Sequence, residues 1–458
     1  MQHLKRSRLA IVLTLLTGCA GLIGVPDLTL EEDGSDGGPP TNEAGSSGSD
    51  GQVGIDASNA DARADAGTLD ADSGADTGAD SSFDAATCDL SKISSDKNNC
   101  GACGHVCLDD GDCNSGVCTA TVITTIKDTE FAYMVEKGDY LYLSSVTNFA
   151  PNDVAGIWRV HKTTGEQKLL LNTWRADDLV VLGNTLYFIT YDAPFSLSGT
   201  DVDDWGGLWA CDISTSTPCT PRLIQELEYA EGITAGNGKI YTADDGNDAI
   251  RSYDPALDQA ADGGAEAGLD ASSAFATVGT HANIPATWRL FVDGTDVYYL
   301  LALLDHPQLG KLNANGNGGT TISKYDHTNA QIGQLVGNKT DVFFTAQDTD
   351  VTTGGLVRRV SRAGGAVCDY AGGPATDGTT SISRPRGLYI DDKRIYWTNR
   401  GKFDLSGTFI STCDLAGCCT EAKVLWNEGG DARAITGDDK YLYWVETESG
   451  QILKVGKP

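Results

Sequence analysis

An aliphatic residue followed by an aromatic residue recurs along most of the chain. From Thr119 onward this pair appears seven times, each time directly after a polar turn. The aromatic residues are Tyr142, Tyr187, Tyr241, Tyr298, Phe343, Tyr396 and Tyr443. They are separated by 45, 54, 57, 45, 53 and 47 positions. A repeat of about 50 residues built from strand-like segments indicates a radial or solenoid array.

The strand that carries each aromatic residue is apolar on both of its faces. The residue before the aromatic is always aliphatic: Leu141, Leu186, Ile240, Val297, Val342, Ile395 and Leu442. Adjacent side chains of a strand point to opposite faces, so these strands must be covered on both sides. A β-propeller meets this requirement because each blade packs between two neighbours.

Each repeat contains four strand-like segments, which is the number in a propeller blade. An apolar segment precedes the aromatic, a third strand such as Gly156–Val160 follows it, and a weaker fourth strand such as Lys168–Leu171 ends the repeat. The last repeat ends at its third strand, Gln451–Val455, and the extra segment Thr121–Ile126 can supply the missing outer strand. The sequence therefore predicts an all-β, seven-bladed β-propeller over residues 119–458. A six-bladed ring with an irregular piece is the alternative.

The repeat also predicts where a ligand-binding site can form. Propellers usually bind on the face made by the loops that enter strand one and leave strand two, here called the upper face. The residue ten positions before each aromatic, here called the ten-back residue, precedes an apolar residue by two positions, so the inner strand meets the central funnel there. The ten-back residues are Ala132, Asp177, Glu231, Trp288, Gly333, Arg386 and Arg433.

This ring of ten-back residues is predicted to be polarised. Asp177 and Glu231 belong to blades 2 and 3, Arg386 and Arg433 belong to blades 6 and 7, and Trp288 with the following Arg289 stands between them. Such a funnel can hold a ligand with both charges, or a sugar stacked on the tryptophan. Charges that only hydrate the channel mouth or pair across it are the alternative.

A long loop after the second strand of blade 2 is another candidate contact surface. The segment Phe195–Gly206 contains three aspartates and Trp205. An acidic loop with an exposed tryptophan suits carbohydrate or protein contact, and it could take Ca²⁺. A solvated acidic loop is the alternative.

Charge along the chain is strongly acidic and unevenly distributed. The 458 residues have a net charge of −31, and no basic footprint for nucleic acid is present. Residues 31–87 contain eleven Asp, three Glu and one Arg, with almost no large apolar side chain. Such a segment cannot offset its chain entropy by burial. Residues 19–87 are therefore predicted to be a disordered tether, and the similar segment Asp258–Ser273 a disordered loop.

The N-terminus has the pattern of an export signal. Lys5, Arg6 and Arg8 precede the short apolar stretch Leu9–Leu16, which predicts a signal peptide over residues 1–18. The following Leu-Thr-Gly-Cys19 resembles the lipobox of bacterial lipoproteins, whose cysteine becomes acylated. The resemblance implies lipidation of Cys19 and, because Ala20 follows it, an outer-membrane location facing the periplasm or the cell surface. An ordinary secreted protein is the alternative.

Six cysteines fall within residues 88–118: Cys88, Cys100, Cys103, Cys107, Cys113 and Cys118. Exported thiols oxidise, so a small module with three disulfides is favoured over zinc binding. Haem attachment is disfavoured because Gly104 stands where its motif needs His. Six cysteines leave about fifteen connectivities open. Asn98–Cys107 resembles a cysteine module common in surface lipoproteins of myxobacteria.

Further cysteines and one signature lie within the repeats. Cys211 with Cys219, and Cys413 with Cys418, are predicted to form hairpin disulfides, because each pair flanks a turn after a third strand. The segment Tyr396-Trp-Thr-Asn resembles the Tyr-Trp-Thr-Asp signature of propellers in lipoprotein-receptor ectodomains. This YWTD/NHL-like resemblance supports the propeller fold and implies no ligand.

Signals for catalysis are few. The sequence contains no Gly-x-Ser-x-Gly, His-Glu-x-x-His or phosphate-loop motif. Streptogramin-lyase-like propellers use His and Glu near the funnel, but no ten-back residue is His; His281 and His306 are the pair that could meet on the upper face. We therefore predict no catalytic residue, metal or cofactor. The predicted function is recognition of a protein or glycan by a membrane-anchored extracytoplasmic propeller, with a lyase or hydrolase acting at the funnel as the alternative.

Overall fold

The structure is a computed structural model, and it describes most of the chain from Cys88 to Pro458. The segments outside the described residues are 1–87, 102, 109–110, 128, 147–155, 173–175, 191–204, 215–217, 262–273, 281–286, 302–307, 314–318, 325–329, 349–354, 365–366, 371–383, 400–407, 417–421, 428–429 and 448. The predicted signal peptide, Cys19, the tether, His281 and His306 therefore lie outside them. Within the described ranges, no helix has the length and apolar character needed to cross a membrane.

The repeats fold into seven antiparallel four-stranded sheets, as the alternation of strands and turns predicts. A hairpin of β1 (Cys113–Asn114) and β2 (Val117–Cys118) precedes them, followed by β3 (Thr121–Thr125). Blade 1 contains β4 (Glu130–Lys137), β5 (Tyr140–Val146), β6 (Gly156–His161) and β7 (Gln167–Asn172). Blade 2 contains β8 (Asp178–Leu182), β9 (Thr185–Thr190), β10 (Trp205–Asp212) and β11 (Arg222–Glu228).

The remaining blades have the same strand order. Blade 3 contains β12 (Ala230–Gly236), β13 (Lys239–Asp244), a short 3-10 helix (Asp245–Asn247), β14 (Ala249–Tyr253), helix α1 (Pro255–Ala261) and β15 (Phe275–Thr280). Blade 4 contains β16 (Thr287–Asp293), β17 (Asp296–Leu301), β18 (Gln308–Asn313) and β19 (Thr320–Lys324). Blade 5 contains β20 (Ala330–Gly337), β21 (Asp341–Asp348), β22 (Gly355–Ser361) and β23 (Val367–Tyr370). Blade 6 contains β24 (Pro385–Ile390), β25 (Arg394–Asn399), β26 (Phe409–Asp414) and β27 (Lys423–Trp426). Blade 7 contains β28 (Ala432–Gly437), β29 (Tyr441–Glu446), β30 (Gln451–Gly456) and, as its outer strand, β3.

The first strands of the blades form a closed ring around a central channel. Each contacts the first strand of the next blade, from β4 through β8, β12, β16, β20 and β24 to β28, and β28 contacts β4 again. Strand β3 pairs antiparallel with β30 and completes blade 7. The prediction of seven blades, closed by the strand that precedes the first repeat, is confirmed.

The repeated aromatic residues lie in the cores between blades. All seven are almost fully buried, and Tyr396 and Trp397 are 1% and 0% exposed. Phe344, on the second strand of blade 5, shares an apolar cluster with Tyr298 and Leu300 of blade 4. Each second strand is therefore covered on both faces, as its two apolar faces require.

The N-terminal module packs against the propeller. Its three disulfides join Cys88 to Cys103, Cys100 to Cys113, and Cys107 to Cys118. Three of these cysteines share an apolar cluster with Trp426 of blade 6 and Leu453 of blade 7. The predicted disulfide-rich module is confirmed, and its disulfides rather than a metal close it.

The propeller contains disulfides as well. Cys211 and Cys219 are joined, which confirms the first predicted hairpin disulfide. Cys413 is also disulfide-bonded, as is Cys368, but Cys418 lies outside the described residues, so the second predicted pairing stays a prediction.

The predicted disordered loop at Asp258–Ser273 is wrong at its start. Asp258 belongs to α1, and its side chain is buried. Its carboxylate accepts a hydrogen bond from the Tyr253 hydroxyl and pairs with Arg222 Nη2 at 2.6 Å. Asp258, which begins a segment with the composition of the tether, is thus held by specific partners on blades 2 and 3.

Cations join neighbouring blades at the lower face, which is the end where first strands turn into second strands. Lys162 directly follows the third strand of blade 1 and contacts Asp438 of blade 7 at 2.7 Å. The Tyr443 hydroxyl donates to the same carboxylate at 2.7 Å, and Lys162 also pairs with Glu136 at 2.9 Å. Lys457 occupies the equivalent position for Asp391 and Tyr396, and Arg362 for Tyr298. The lower face is therefore held together by partly buried ion pairs between blades.

Candidate functional site

Six of the seven first strands contain a β-bulge near the upper end, and the ten-back residue lies in it. The pairing of β12 with β13 shifts register between Ala230 and Gly232, around Glu231. The same shift surrounds Ala132, Trp288, Gly333, Arg386 and Arg433. In blade 2, Ile189 opposes Asp178 and also accepts a hydrogen bond from the Asp177 N–H. A bulge redirects side chains, so these six bulges and the equivalent segment of blade 2 form a ring of residues at one end of the channel.

Hydroxyl and glycine residues hold two of these bulges in place. The Thr398 Oγ1 accepts a hydrogen bond from the Gly387 N–H at 2.8 Å and donates to the Arg433 carbonyl of the next blade at 2.9 Å. A Cβ on Gly387 would lie 2.2 Å from that carbonyl, so only glycine allows the approach. Thr345 makes the equivalent two bonds between blades 5 and 6.

Arg289 extends across the channel from blade 4. Its Nε donates to the Gly333 carbonyl of blade 5 at 3.1 Å, and its Nη1 donates to the Glu231 carbonyl of blade 3 at 2.9 Å. Its Nη2 donates to the Tyr133 hydroxyl of blade 1 at 2.7 Å, and the guanidinium lies 5.2 Å from the Tyr133 ring centre. Blade 1 is three blades away from blade 4, which is the largest separation in a ring of seven. These contacts therefore cross the channel.

A partly buried carboxyl group lies beside this crossing. Asp178 Oδ1 accepts a hydrogen bond from the Leu179 N–H at 2.8 Å, and the carboxylate also accepts one from the Ile233 N–H of blade 3. Burial raises the pKa of Asp178 to about 6, although Arg289 and the two N–H groups favour its ionised form. This aspartate is thus a carboxyl group that can carry a proton in weakly acidic solution.

Two more carboxylates complete the acidic side of the channel. Burial raises the pKa of Tyr133, and the charges of Asp177, Asp178 and Glu231 add to that effect while Arg289 opposes it. These five residues come from the first-strand segments of blades 1 to 4, and we call them the channel cluster. Asp177, Glu231 and Arg289, which the sequence predicts for the funnel, come to this cluster from the consecutive blades 2, 3 and 4.

On the predicted basic side of the ring, one of the two arginines pairs with acidic residues. Arg433 Nη1 pairs with Glu130 of blade 1 at 2.6 Å, and its Nε lies 3.6 Å from Asp431. Its charge is therefore largely compensated within the protein. Arg386 is partly buried in the first strand of blade 6. The backbones of Trp205 and Trp288 lie in β10 and β16, and their side chains are outside the described part of the structure.

Sequence reasoning missed Tyr133, Asp178 and Glu130. The first two occupy the position directly after the ten-back residue, which is the second residue of the bulge. Since two residues of a bulge oppose one residue on the partner strand, both belonged in the predicted ring. Glu130 lies two positions before its ten-back residue, and no pattern in the sequence distinguishes it.

Among the described side chains, one group of potential metal ligands lies close together. Cys100, Cys107 and Cys118 place their sulfur atoms close together. All three are in disulfides, and a disulfide sulfur is not the thiolate that zinc requires. This group is therefore part of the module core.

Comparison with solved structures agrees with the fold. A catalytically inactive variant of virginiamycin B lyase from Staphylococcus aureus, with quinupristin, is similar at a TM-score of 0.52 and 10% identity, over 74% of this chain and 99% of that one. Hydrazine synthase from Kuenenia stuttgartiensis is similar at a TM-score of 0.50 and 13% identity, over 73% and 97%. A chain of a nidogen/laminin complex reaches 0.38 at 14% identity, over 54% and 85%, which is too low to argue from. No protein-family model and no curated protein matches the chain.

These likenesses define a class of protein and go no further. The chain is a seven-bladed β-propeller preceded by a disulfide-rich module. At identities of 10% and 13%, similarity to these structures shows the fold alone. Propellers host many unrelated functions. The function must therefore be argued from the site.

Proposed function

We propose that the protein is a membrane-anchored, extracytoplasmic propeller that recognises a protein or glycan ligand at the upper end of its channel. The observation that carries the proposal is the ring of six bulges and the equivalent segment of blade 2, which brings residues of both charges to one end of the channel. On the lower face, Lys162, Lys457 and Arg362 are engaged in ion pairs with a neighbouring blade. A ring of redirected polar groups around a concave opening is what a binding site needs.

Location and anchoring have separate support. The disulfides of the module and of the propeller suggest an extracytoplasmic compartment, because such bonds persist where the surroundings are oxidising. The membrane anchor rests on the lipobox resemblance around Cys19. Attachment through an acylated N-terminus would leave the propeller outside the bilayer.

Binding can be tested without knowing the ligand in advance. The full-length protein, tagged at its C-terminus, is used in a pull-down from envelope extract and on a glycan array. The double variant Asp177→Asn, Glu231→Gln removes two charges with little change of shape, and the Glu231 carbonyl still accepts from Arg289. We expect capture to fall by at least about tenfold, since each 1.4 kcal/mol of lost affinity is a factor of ten.

A matched control removes the same two charge types from the lower face. Asp439 and Glu166 are both exposed there, so Asp439→Asn with Glu166→Gln should bind as the unmodified protein does. Equal losses in the two double variants, or no loss in either, would contradict the proposed site. Arg386→Gln extends the test to the opposite side of the ring. Arg433 is a poor choice, because its removal leaves Glu130 without its cation.

A propeller enzyme acting at the same place is the second candidate. It is favoured by Asp178, since a carboxyl group with a pKa of about 6 can act as a general acid or base near neutral pH. The test is turnover of glycan or peptide fragments captured by the unmodified protein. Product formation that disappears in Asp178→Asn while capture remains would favour the enzyme over the binding module.

A further inference from the structure

Three sulfur atoms meet in the core of the N-terminal module, and they belong to two different disulfides. The Sγ atoms of Cys100, Cys107 and Cys118 all lie within 4.8 Å of one another. Cys107 and Cys118 are bonded to each other, whereas Cys100 is bonded to Cys113. The Cys100 sulfur therefore lies next to both sulfur atoms of a disulfide to which it does not belong.

The two disulfides differ in their exposure. Cys107 and Cys118 are both buried, and so is Cys100. Cys113 is partly exposed, so its disulfide is the one of the two that an external thiol can reach. A thiolate attacks one sulfur of a disulfide, and the other sulfur leaves as a thiolate. Attack on Cys113 would thus release the Cys100 thiolate inside the core, beside the Cys107–Cys118 disulfide.

His105 lies beside this group and favours one of the two buried sulfur atoms as the one that leaves. Its Nδ1 lies 2.6 Å from the Cys100 carbonyl, which only accepts, so Nδ1 carries the proton and donates it. Its Nε2 therefore has a lone pair, and it lies 3.7 Å from Cys118 Sγ. Burial lowers the pKa of His105, which favours the neutral ring that this arrangement needs. A Cys118 thiol can donate to the lone pair, and this contact favours Cys118 over Cys107 as the leaving sulfur.

We propose that the module is a thiol–disulfide exchange site, which takes an external dithiol as its substrate and passes the exchange inward from Cys113 to Cys118. One thiolate of the dithiol attacks Cys113, so a mixed disulfide forms and the Cys100 thiolate leaves. That thiolate attacks Cys107, so a Cys100–Cys107 disulfide forms and Cys118 leaves beside His105. The second thiol of the dithiol then attacks the mixed disulfide and releases Cys113 as a thiol.

Atoms and electrons balance over these steps. The dithiol loses two electrons and two protons and becomes a disulfide. The module gains them as the thiols of Cys113 and Cys118. Its two exchanging disulfides become one, between Cys100 and Cys107, and no further oxidant or reductant takes part.

The exchange ends at the strand that closes the ring. Cys118 is followed after two residues by β3, and both it and Cys107 belong to the apolar cluster shared with blades 6 and 7. Opening the partly exposed disulfide would therefore release the attachment that positions β3, although no reductant enters the core. This exchange does not depend on the proposed ligand binding at the channel.

The positions of the free thiols after limited reduction test the proposal on the full-length protein. The protein is treated with dithiothreitol, quenched with an alkylating reagent and cleaved before aspartate residues, which separates residues 96–108 from residues 112–127. Two disulfides join these peptides before reduction. We expect an early product in which residues 112–127 are released with both cysteines alkylated, while residues 96–108 retain a Cys100–Cys107 disulfide.

Two other early products would overturn the proposal. In one, residues 112–127 are alkylated only at Cys113 and stay joined through Cys107–Cys118. In the other, residues 112–127 are released while Cys100 and Cys107 are both alkylated. Either result would mean that the Cys100 thiolate does not attack the neighbouring disulfide.

A pair of double variants separates the exchange from a general loosening of the module. Cys88→Ser with Cys103→Ser removes a disulfide outside the sulfur group and should give the same early product. Cys100→Ser with Cys113→Ser removes the attacking sulfur.

In this second variant the Cys107–Cys118 disulfide should open at least about tenfold more slowly than in the first, because dithiothreitol has no accessible sulfur to attack. Equal rates in the two variants would contradict the proposal. If the variant without Cys100 does not fold, the thiol positions in the unmodified protein decide alone.

Discussion

At the scale of single residues, the tyrosine of each repeat has a second role besides filling the core. Burial and the neighbouring Asp438 raise the pKa of Tyr443, so its hydroxyl stays protonated and donates to that carboxylate. Burial alone would raise the pKa of Asp438. The bonds from Lys162, from the N–H groups of Lys440 and Tyr441, and from Tyr443 outweigh burial and lower that pKa to about 2. Lys162 is the cation that makes this group of charges stable.

Lys162→Met is predicted to lower the free energy of unfolding by about 1–3 kcal/mol at neutral pH, because two partly buried carboxylates lose their cation. The sign of the pH dependence is fixed by Asp438. Its folded pKa is below the unfolded value, so its contribution is present above about pH 4 and is lost as pH falls towards about 2. Urea unfolding at neutral and acidic pH measures both effects.

The control for this prediction is Lys440→Met, which removes an exposed lysine near the same turn. It should change stability by less than about 0.5 kcal/mol. If Lys162→Met is as mild as this control, or if its cost does not shrink in acid, the charge network does not join the blades as described.

The sequence predicted the positions of residues that repeat along a regular strand. It missed residues whose side chains a bulge redirects. Tyr396 and Trp397 were correctly placed in a blade core, because seven copies of one pattern define their position. Tyr133 and Asp178 were missed, because alternation along a strand counts one residue per position while a bulge presents two. The carboxyl pKa near 6 depends on burial between three blades, which one chain segment cannot reveal.

At the scale of elements, ring closure depends on a short strand that the module positions. Strand β3 has no fully buried residue, and it is held to β30 by four pairs. The Cys107–Cys118 disulfide lies directly before β3, and both sulfur atoms are buried against blades 6 and 7. The connection from this disulfide to β3 is only two residues long, so the module fixes where the closing strand begins.

Replacing Cys107 and Cys118 together by Ser is predicted to cost about 2–4 kcal/mol, the usual range for a native disulfide. The loss should include faster hydrogen exchange in β30, because β3 is then less well positioned over it. The matched control is Cys88→Ser with Cys103→Ser, which removes a disulfide outside the apolar cluster. Exchange in β30 that responds equally to both pairs would show that the module does not guide closure.

The closing strand was predictable because a repeat that stops at its third strand leaves one pairing edge open. Thr121–Ile126 was the unpaired strand-like segment that could fill it, and β3 spans Thr121–Thr125. Helix α1 was not predictable in this way. Its sequence has the composition of the tether. Among the described residues, Arg222 of blade 2 and Tyr253 of β14 hold the Asp258 carboxylate in place, and the sequence pattern does not reveal these contacts.

At the scale of the whole molecule, the two faces of the propeller have different roles. The module lies near the lower ends of blades 6 and 7, since Leu108 is next to Gly456 at the end of β30. Burial lowers the pKa of His105, and the nearby charges of Arg394 and Lys423 in blade 6 add to this effect. Lys162, Lys457 and Arg362, which pair with acidic residues of a neighbouring blade, are on the same face. As far as the structure describes it, the module therefore lies away from the upper face, which carries the bulges and the channel cluster.

The proposed N-terminal anchor can be tested separately from the propeller. Cys19 is predicted to carry the fatty acid, so metabolic labelling with an alkyne fatty acid should label the unmodified protein and place it in the membrane fraction. Cys19→Ser should be unlabelled and released, with an unchanged unfolding curve, because the compact unit of Asp80–Pro458 does not include Cys19. The double variant Cys211→Ser, Cys219→Ser should keep its label, which shows that the label is specific to Cys19. An unmodified protein that takes up no fatty acid would mean that the chain is secreted without an anchor, and the free upper face would then meet its ligand in solution instead of at a membrane.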